Sequence, residues 1–342
     1  MFTKHKTTEY FQKIESLVNK IEDNACLKGT PLVSICCPTY NHENYITECL
    51  DGFLCQQVEF PYEIIVGDDC STDKTQSILL DYHKKYPQII RLRFSKTNLL
   101  SIGLRNSRGI LNACRGKYIA LCEGDDYWID PLKLQKQVDY LERNPNCGMV
   151  YTKARYFYQF KNKYTRNSWG GTGTTFEELI KNNQIPTLTT VLRLDLLRGY
   201  GEEIQPEFRN WRMGDYPLWL YIALKSKIHF TNEETSVYRV LGKSLSHPID
   251  LVNQEAFVKS EFAIKQFYLE YAQLKYDKQY FEDSLLANLA TNAIMMKNRN
   301  LAKGYFGQMK KVSAKNIFKR IICYSRILSF MYRLKNKRLK LI

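Results

Sequence analysis

Two pairs of adjacent carboxylates carry most of the chemistry this sequence offers. Asp125-Asp126 follows the apolar run at residues 118–122, where Gly124 breaks the run. Asp68-Asp69 follows a similar run at residues 62–66, just after Gly67. Side-by-side carboxylates repel unless a cation or a proton lies between them. A hard divalent ion suits such a pair, because it takes oxygen ligands and keeps open positions for a phosphate-bearing ligand. Tyr40, in Pro38-Thr39-Tyr40-Asn41, offers a flat face on which a base can stack. Asp68 or Asp69 can accept from an imide nitrogen or a ribose hydroxyl. Taken alone, each Asp-Asp pair also reads as ordinary turn residues.

The elements around these residues favour the chemical reading. Apolar runs at 31–37, 62–66, 89–94 and 118–122 read as buried strands. Helical spacing at 45–55, 74–86 and 107–113 separates them, with Thr72 or Asp73 as cap of the second helix. Asp130-Pro131 reads as the N-cap and first position of a helix over 132–141. Alternating strands and helices predict a mostly parallel sheet flanked by helices. Tyr40 and both acidic pairs then lie on one rim, at the carboxyl ends of strands, where open α/β sheets bind ligands. Ahead of this pattern, residues 1–30 read as one amphipathic helix with Phe11, Ile14, Leu17, Val18 and Ile21 at helical spacing.

Composition narrows the function classes. The chain has 342 residues, room for about two domains and a sizeable core. Its ten cysteines include Cys36, Cys37, Cys114 and Cys122 inside apolar runs, and no metal-ligand spacing links them. They read as buried hydrophobes in a reducing compartment. No segment is long enough to span a membrane, and residues 1–10 are too polar for a signal peptide, so the expected setting is cytoplasmic. The net charge is +15, yet no acidic residue follows Asp283 and fourteen Lys and Arg lie between Lys297 and Lys340. The basicity therefore belongs to a tail, which argues against a nucleic-acid groove across the main domain.

Pro38-Thr39-Tyr40-Asn41, the run from Val66 through Asp68-Asp69 to Asp73, and Gly116-Lys117-Tyr118-Ile119-Ala120 leading into Asp125-Asp126 together resemble the family 2 glycosyltransferases of GT-A fold. The resemblance covers residues 31–150. It implies a nucleotide-diphospho-sugar donor, a divalent metal (Mn2+ or Mg2+) and an inverting transfer. By the same resemblance Pro38, Tyr40, Asp68 and Asp69 would meet the nucleotide, Asp125 the sugar or ribose, and Asp126 the metal. Arg105, Asn106 and Arg108 are candidates for a further nucleotide contact. Glu123 stands where the family often has Asp.

Downstream, Asp215 precedes an apolar helix at 217–224 and reads locally as its N-cap. The resemblance assigns it the general base that takes the acceptor's proton. Gly214 replaces the Glu that usually comes before that base. Residues 187–192 read as a strand and 167–175 as a mobile loop near the acceptor. Residues 238–247 resemble the family's closing flap, where Arg239, Lys243 or Ser244 would offset phosphate charge, with Trp128 on the same side and His247 as a second metal ligand. The expected domains are an N-terminal extension (1–30), a GT-A domain (31–250) and a helical region (251–342) with a basic amphipathic tail suited to a membrane surface. The function implied is transfer of a sugar, read as coming from a UDP-sugar, to a glycan or lipid-linked glycan at the inner membrane face. The competing readings are a nucleotidyltransferase on a related sheet and a non-catalytic nucleotide- or nucleic-acid-binding protein using the tail. The first would normally carry a glycine-rich phosphate loop, which Pro38-Thr39-Tyr40-Asn41 is not.

Overall fold

The computed structural model describes residues 4–21, 29–241, 250–311 and 314–339. In chain order the elements are α1 (Lys4–Ser16), β1 (Val18–Ile21), β2 (Val33–Thr39), α2 (Ile46–Leu54), β3 (Tyr62–Asp68), α3 (Thr75–Lys85), β4 (Ile90–Ser95), α4 (Asn106–Ala113), β5 (Tyr118–Leu121) and β6 (Tyr127–Trp128). There follow α5 (Lys133–Arg143), β7 (Cys147–Tyr158), β8 (Lys163–Trp169), α6 (Phe176–Leu179), β9 (Val191–Arg193), α7 (Leu194–Ile204), α8 (Tyr216–Lys225) and β10 (Lys227–Val240). Five helices complete the chain: α9 (Leu251–Tyr271), α10 (Lys278–Met295), α11 (Arg299–Gln308), α12 (Ala314–Tyr324) and α13 (Arg326–Leu339).

The strands form one sheet in the order β1-β4-β3-β2-β5-β9-β7-β10-β6, with β8 paired to β7. Strands β4, β3, β2 and β5 run parallel, as the alternation of strand and helix predicts. The outer half is mixed: β9 is antiparallel to β5 and β7, and β6 is antiparallel to β10. The parallel strands are buried on both faces, hence the largely apolar β2, β3 and β5; in β4 the buried Arg91 and Arg93 alternate with apolar residues and pair with Glu63 and Glu15. Val33, Ile35, Ile64, Val66 and Ala120 of the sheet meet Ile46, Leu50 and Phe53 of α2 and Leu134, Val138 and Leu141 of α5 in one core.

Register in the central strands is fixed at the edge opposite the rim. The buried Glu63 carboxylate accepts from Arg91 at 2.8 Å, Arg115 at 2.6 Å and Ser34 Oγ at 2.6 Å. Gly116 crosses there so closely that a Cβ would lie 2.6 Å from Ser34 N. This hydrogen-bonded cluster pins the start of β5 against β2 and β3, and so sets where β5 ends.

Several expectations need correction. The N-terminal helix stops at Ser16, and Val18–Ile21 turns into a strand antiparallel to β4. Leu17, Val18 and Ile21 suit helical spacing, but pairing covers the otherwise open edge of β4. Helix α5 begins at Lys133, because Asp130 accepts from Leu132 N at 2.9 Å and holds residues 130–132 in a turn. Residues 187–189 form a short 3-10 turn, in which Thr189 and Thr190 bond back to Pro186 and Thr187, so the strand starts only at Val191. Of the expected loop at 167–175, the first three residues belong to β8 and Thr175 caps α6 in a capping box.

The chain divides into two compact units. One comprises residues 1–209 and 218–240, so the N-terminal extension is part of the sheet unit; the other comprises 210–217 and 241–342. In the second unit Ala287, Ala290, Ile294, Ala302, Phe306 and Ile322 form a helical core. No helix among the described residues is long and apolar enough to cross a membrane.

Candidate active site

The tip of β2 draws the rim together. Thr39 O accepts from Asp69 N at 3.0 Å, and Pro38 O accepts from Gly124 N at 3.0 Å. A Cβ at Gly124 would lie 2.7 Å from Thr39 Oγ1 and 3.0 Å from His42 Nδ1, so only glycine lets these loops meet. Asn41 takes a left-handed backbone (φ 54) and bonds the facing loop three times, donating its N–H to Ser71 Oγ at 2.8 Å and accepting at Oδ1 from Thr72 N at 2.8 Å and Thr72 Oγ1 at 3.4 Å. The expected convergence of Tyr40, Asp68-Asp69 and Asp125-Asp126 is therefore stitched by backbone bonds. Tyr40 itself is 43% exposed, a large aromatic ring left to solvent at the rim.

The two acidic pairs are used differently. Asp68 is buried and accepts from Ser71 N, Ser71 Oγ and Gln76 Nε2. Asp69, also buried, accepts from Leu99 N at 2.7 Å and Leu100 N at 3.3 Å. Both carboxylates thus hold the protein's own loops before any ligand arrives, although both oxygens of Asp69 and Oδ2 of Asp68 keep a further lone pair. Burial pushes the Asp69 carboxyl above its ordinary range, against the pull of those two N–H groups.

Asp126 is 3% exposed, and its Oδ1 accepts from Arg239 N at 2.7 Å. Burial, and then the charges of Asp125 and Glu123, push its carboxyl well above the ordinary range, while Arg239 pulls the other way. Asp125 beside it is half-buried. The antiparallel pairing of β6 with β10, Trp128 opposite Ser236, brings this loop against Arg239.

Arg239 is tightly held. Its Nε donates to Asp125 O at 2.7 Å, Nη1 to Gln159 Oε1 at 2.8 Å and Nη2 to Glu48 at 2.5 Å. Its guanidinium lies 4.9 Å from the Tyr45 ring centre and 5.0 Å from that of Tyr127. The flap expected here thus begins with a buried strut. Trp128, expected on the acceptor side, is a core residue: it is 2% exposed, packs 4.6 Å from Phe53 and donates to Leu188 O. Ser244, Lys243 and His247 lie outside the described residues.

Arg105 opens α4, and its N–H donates to Tyr10 Oη at 3.1 Å. Asn106 donates to Gly67 O at 2.6 Å, and Arg108 pairs with Glu207 at 3.2 Å. In the second unit Asp215 precedes α8, and its Oδ1 accepts from Tyr216 N at 2.7 Å, a bond to the adjacent residue and not to the second or third helical N–H that an N-cap side chain would take. Sequence reasoning missed His42. It sits against Thr39 Oγ1 at 3.1 Å; burial lowers its pKa, while Asp125, Asp73 and Asp68 pull it up. Its signal was its place three residues past Thr39, in the loop that carries Tyr40. A cavity of about 250 Å³ against α5, lined by Lys133, Tyr140, Thr152, His229 and Thr235, includes none of the rim acids.

Among the described residues no three His, Cys, Asp or Glu side chains group to hold an ion by themselves. The donor set at Asp125-Asp126 fits a hard cation held by one or two carboxylates and completed by water and ligand phosphate.

Residues 34–196 match the glycosyl transferase family 2 model. An uncharacterized Mycobacterium tuberculosis protein is 38% identical over 63% of this chain and 60% of its own length, so the chain spans less than two thirds of that relative. The Bacillus subtilis putative teichuronic acid biosynthesis glycosyltransferase TuaG is 28% identical over 63% of this chain and 82% of its own. Among solved structures, Staphylococcus aureus TarS 1–349 in complex with UDP-GlcNAc superimposes with a TM-score of 0.57 at 17% identity, over 89% of this chain and 92% of that one. That likeness concerns the fold. With the motifs on one rim and the family match across them, residues 34–196 resemble glycosyl transferase family 2, and the fold is GT-A-like.

Proposed function

We propose that this chain is a hexosyl-type glycosyltransferase that moves a sugar, with inversion, from a nucleotide-diphospho-sugar to a hydroxyl of a glycan or lipid-linked glycan. A UDP-sugar is the donor we favour, in surface polysaccharide synthesis at the inner membrane face. The observation that carries this reading is the asymmetric rim: an exposed aromatic ring beside self-satisfied acids, and next to them a buried carboxyl that burial and like charge disfavour as an anion. The name of TuaG supports the polysaccharide setting, and the basic tail supports attraction to an anionic membrane.

In this reading Tyr40 stacks on the base, and Pro38, Asp68 and Asp69 shape its cradle. Asp69 does so by fixing the loop at 98–100 and offering a free lone pair. Arg105 stands beside that loop as a further nucleotide contact. Asp125 meets the ribose or sugar. Asp126, with His247 as a second candidate ligand, would hold a divalent ion (Mn2+ or Mg2+), which supplies Lewis-acid stabilisation of the departing diphosphate. Arg239 orients Asp125 and Asp126 and shields the site from water, while Ser244 belongs to the segment that would close over the diphosphate. Asp215 accepts the proton of the acceptor hydroxyl as that oxygen attacks the anomeric carbon. No covalent intermediate is required.

The test is donor hydrolysis by the purified protein with UDP-, GDP- and dTDP-sugars and Mn2+, beside Asp126→Ala and Asp215→Asn. The expected result is metal-dependent release of one nucleoside diphosphate, lost in Asp126→Ala. In Asp215→Asn, transfer should be lost while donor binding stays. No diphosphate from any donor, together with no donor binding by calorimetry, would sink the reading.

A further inference from the structure

Helices α12 and α13 each present apolar side chains on two sides. On one side, Ile322 and Cys323 are buried against Ala290, Ile294, Ala302 and Phe306, and Tyr332 packs on the same core. On the other, Ile317, Phe318, Ile321 and Tyr324 of α12 are 49–61% exposed, at relative positions 0, 1, 4 and 7. On α13, Ile327, Phe330, Met331 and Leu334 are 44–72% exposed, at 0, 3, 4 and 7. Both are helical rows, not scattered side chains. Such rows left in water mark an interaction surface.

The charges around the rows identify what covers them. Arg320 and Arg326 are exposed beside them, Arg333 is half-buried, and no Asp or Glu occurs anywhere after Asp283. A second copy of this face would bring cations against cations, which repel. The complement of an apolar row flanked by Arg320 and Arg326, on helices that carry no acid, is a layer that is apolar within and anionic at its boundary, as an acidic lipid bilayer is.

We propose that the outward rows of α12 and α13 insert into an anionic bilayer surface, so that apolar burial, more than tail electrostatics, holds the protein there. This rests on the reading above that the basic tail draws the chain to a membrane, and it names the anchor. The two contributions respond differently to salt. At ~1 M salt the Debye length falls to about 3 Å, which removes the attraction of exposed cations for the surface. Buried apolar surface keeps its contribution.

The experiment is co-sedimentation of the full chain with phosphatidylcholine vesicles, with and without phosphatidylglycerol, at low salt and at ~1 M NaCl. Wild type is compared with Phe318→Ser/Ile321→Ser/Ile327→Ser/Phe330→Ser and with Arg320→Gln/Arg326→Gln. Wild type should bind the anionic vesicles and keep a measurable part of that binding at high salt. The serine variant should lose at least about tenfold in partitioning. The glutamine variant should weaken at low salt and match wild type at high salt. Because the four substituted side chains already face water, circular dichroism and melting of the serine variant should match wild type. Lipid-free donor hydrolysis should be equal in all three, which separates this proposal from the catalytic reading. Wild-type binding that vanishes at high salt, or a serine variant that partitions like wild type, would overturn the anchor and leave the tail alone. Wild type that ignores anionic vesicles at low salt would overturn both membrane readings. Self-association lost in the serine variant, without vesicle binding, would assign the face to a second copy instead.

Discussion

The two acidic pairs of the rim are alike in sequence and opposite in circumstance. Asp68 and Asp69 end β3 and spend their oxygens on Ser71, Gln76, Leu99 and Leu100. Asp126 follows β5 with a single backbone N–H from Arg239 on one oxygen and two like-charged neighbours. The first pair is an internal brace, and the second is a crowded, buried anion whose charge a cation would offset. Adjacent carboxylates at strand ends are thus a place where chemistry is possible, and their hydrogen-bond partners decide what each pair does.

The sharpest way to break this comparison is to neutralise Asp126. Asp126→Asn keeps an oxygen for Arg239 N and should lower metal-dependent activity by about 10²–10³, the scale of losing one preorganised electrostatic contact. Its stability should move the other way. The folded pKa of Asp126 is raised, so without metal its contribution to stability is fullest in acid. That contribution is lost as pH rises from the unfolded value, about 3.9, toward the folded one. In chelator, the melting temperature of wild type minus that of Asp126→Asn should fall as pH rises across that range; parallel curves would refute the assignment.

Asp69→Ala should show the brace. It orphans the N–H groups of Leu99 and Leu100, and should cost about 2–4 kcal/mol in urea unfolding, since each buried unsatisfied donor costs about 1–3 kcal/mol. A change within ~0.5 kcal/mol would mean that water replaces the carboxylate. Tyr40 sits between these extremes. Tyr40→Ala should weaken donor binding by the ~1–3 kcal/mol of a lost stacking partner, while Tyr40→Phe keeps affinity. Calorimetry with the preferred nucleoside diphosphate reads both, and equal losses would point to the hydroxyl.

The smallest effect belongs to His42. Its folded pKa is depressed, so stability should decline as pH falls from about 6.5 toward the folded value. The slope should be at most about 1.4 kcal/mol per pH unit. His42→Gln should flatten that slope in thermal melts; an unchanged slope would assign the decline to other groups.

Much of this arrangement was legible in residue order. The strand–helix alternation and the glycine before each acidic pair foretold the parallel strands and the rim, because buried parallel strands need continuous apolar runs and sharp exits. What stayed hidden depends on contacts between distant segments. That Val18–Ile21 is a strand follows from the open edge of β4, and nothing within those four residues says so. From sequence Trp128 is expected on the acceptor or flap side. Its burial is set by Phe53 and Leu188, which local spacing cannot reveal. The brace formed by Asp69 needs Leu99, thirty residues on. The structure's division of the chain, with residues 210–217 joined to the helices after Leu241, likewise has no local mark.

The edge strand β1 has a consequence for how the chain is made. Its partner β4 is synthesised some seventy residues later, and Tyr10 waits for Arg105. This segment, made well before its partner, is therefore late to find its place, by a loop closure that slows pairing. Until it arrives, β4 exposes an unpaired strand edge that could template another chain, and α1 with β1 then acts as the cover that ends this interval.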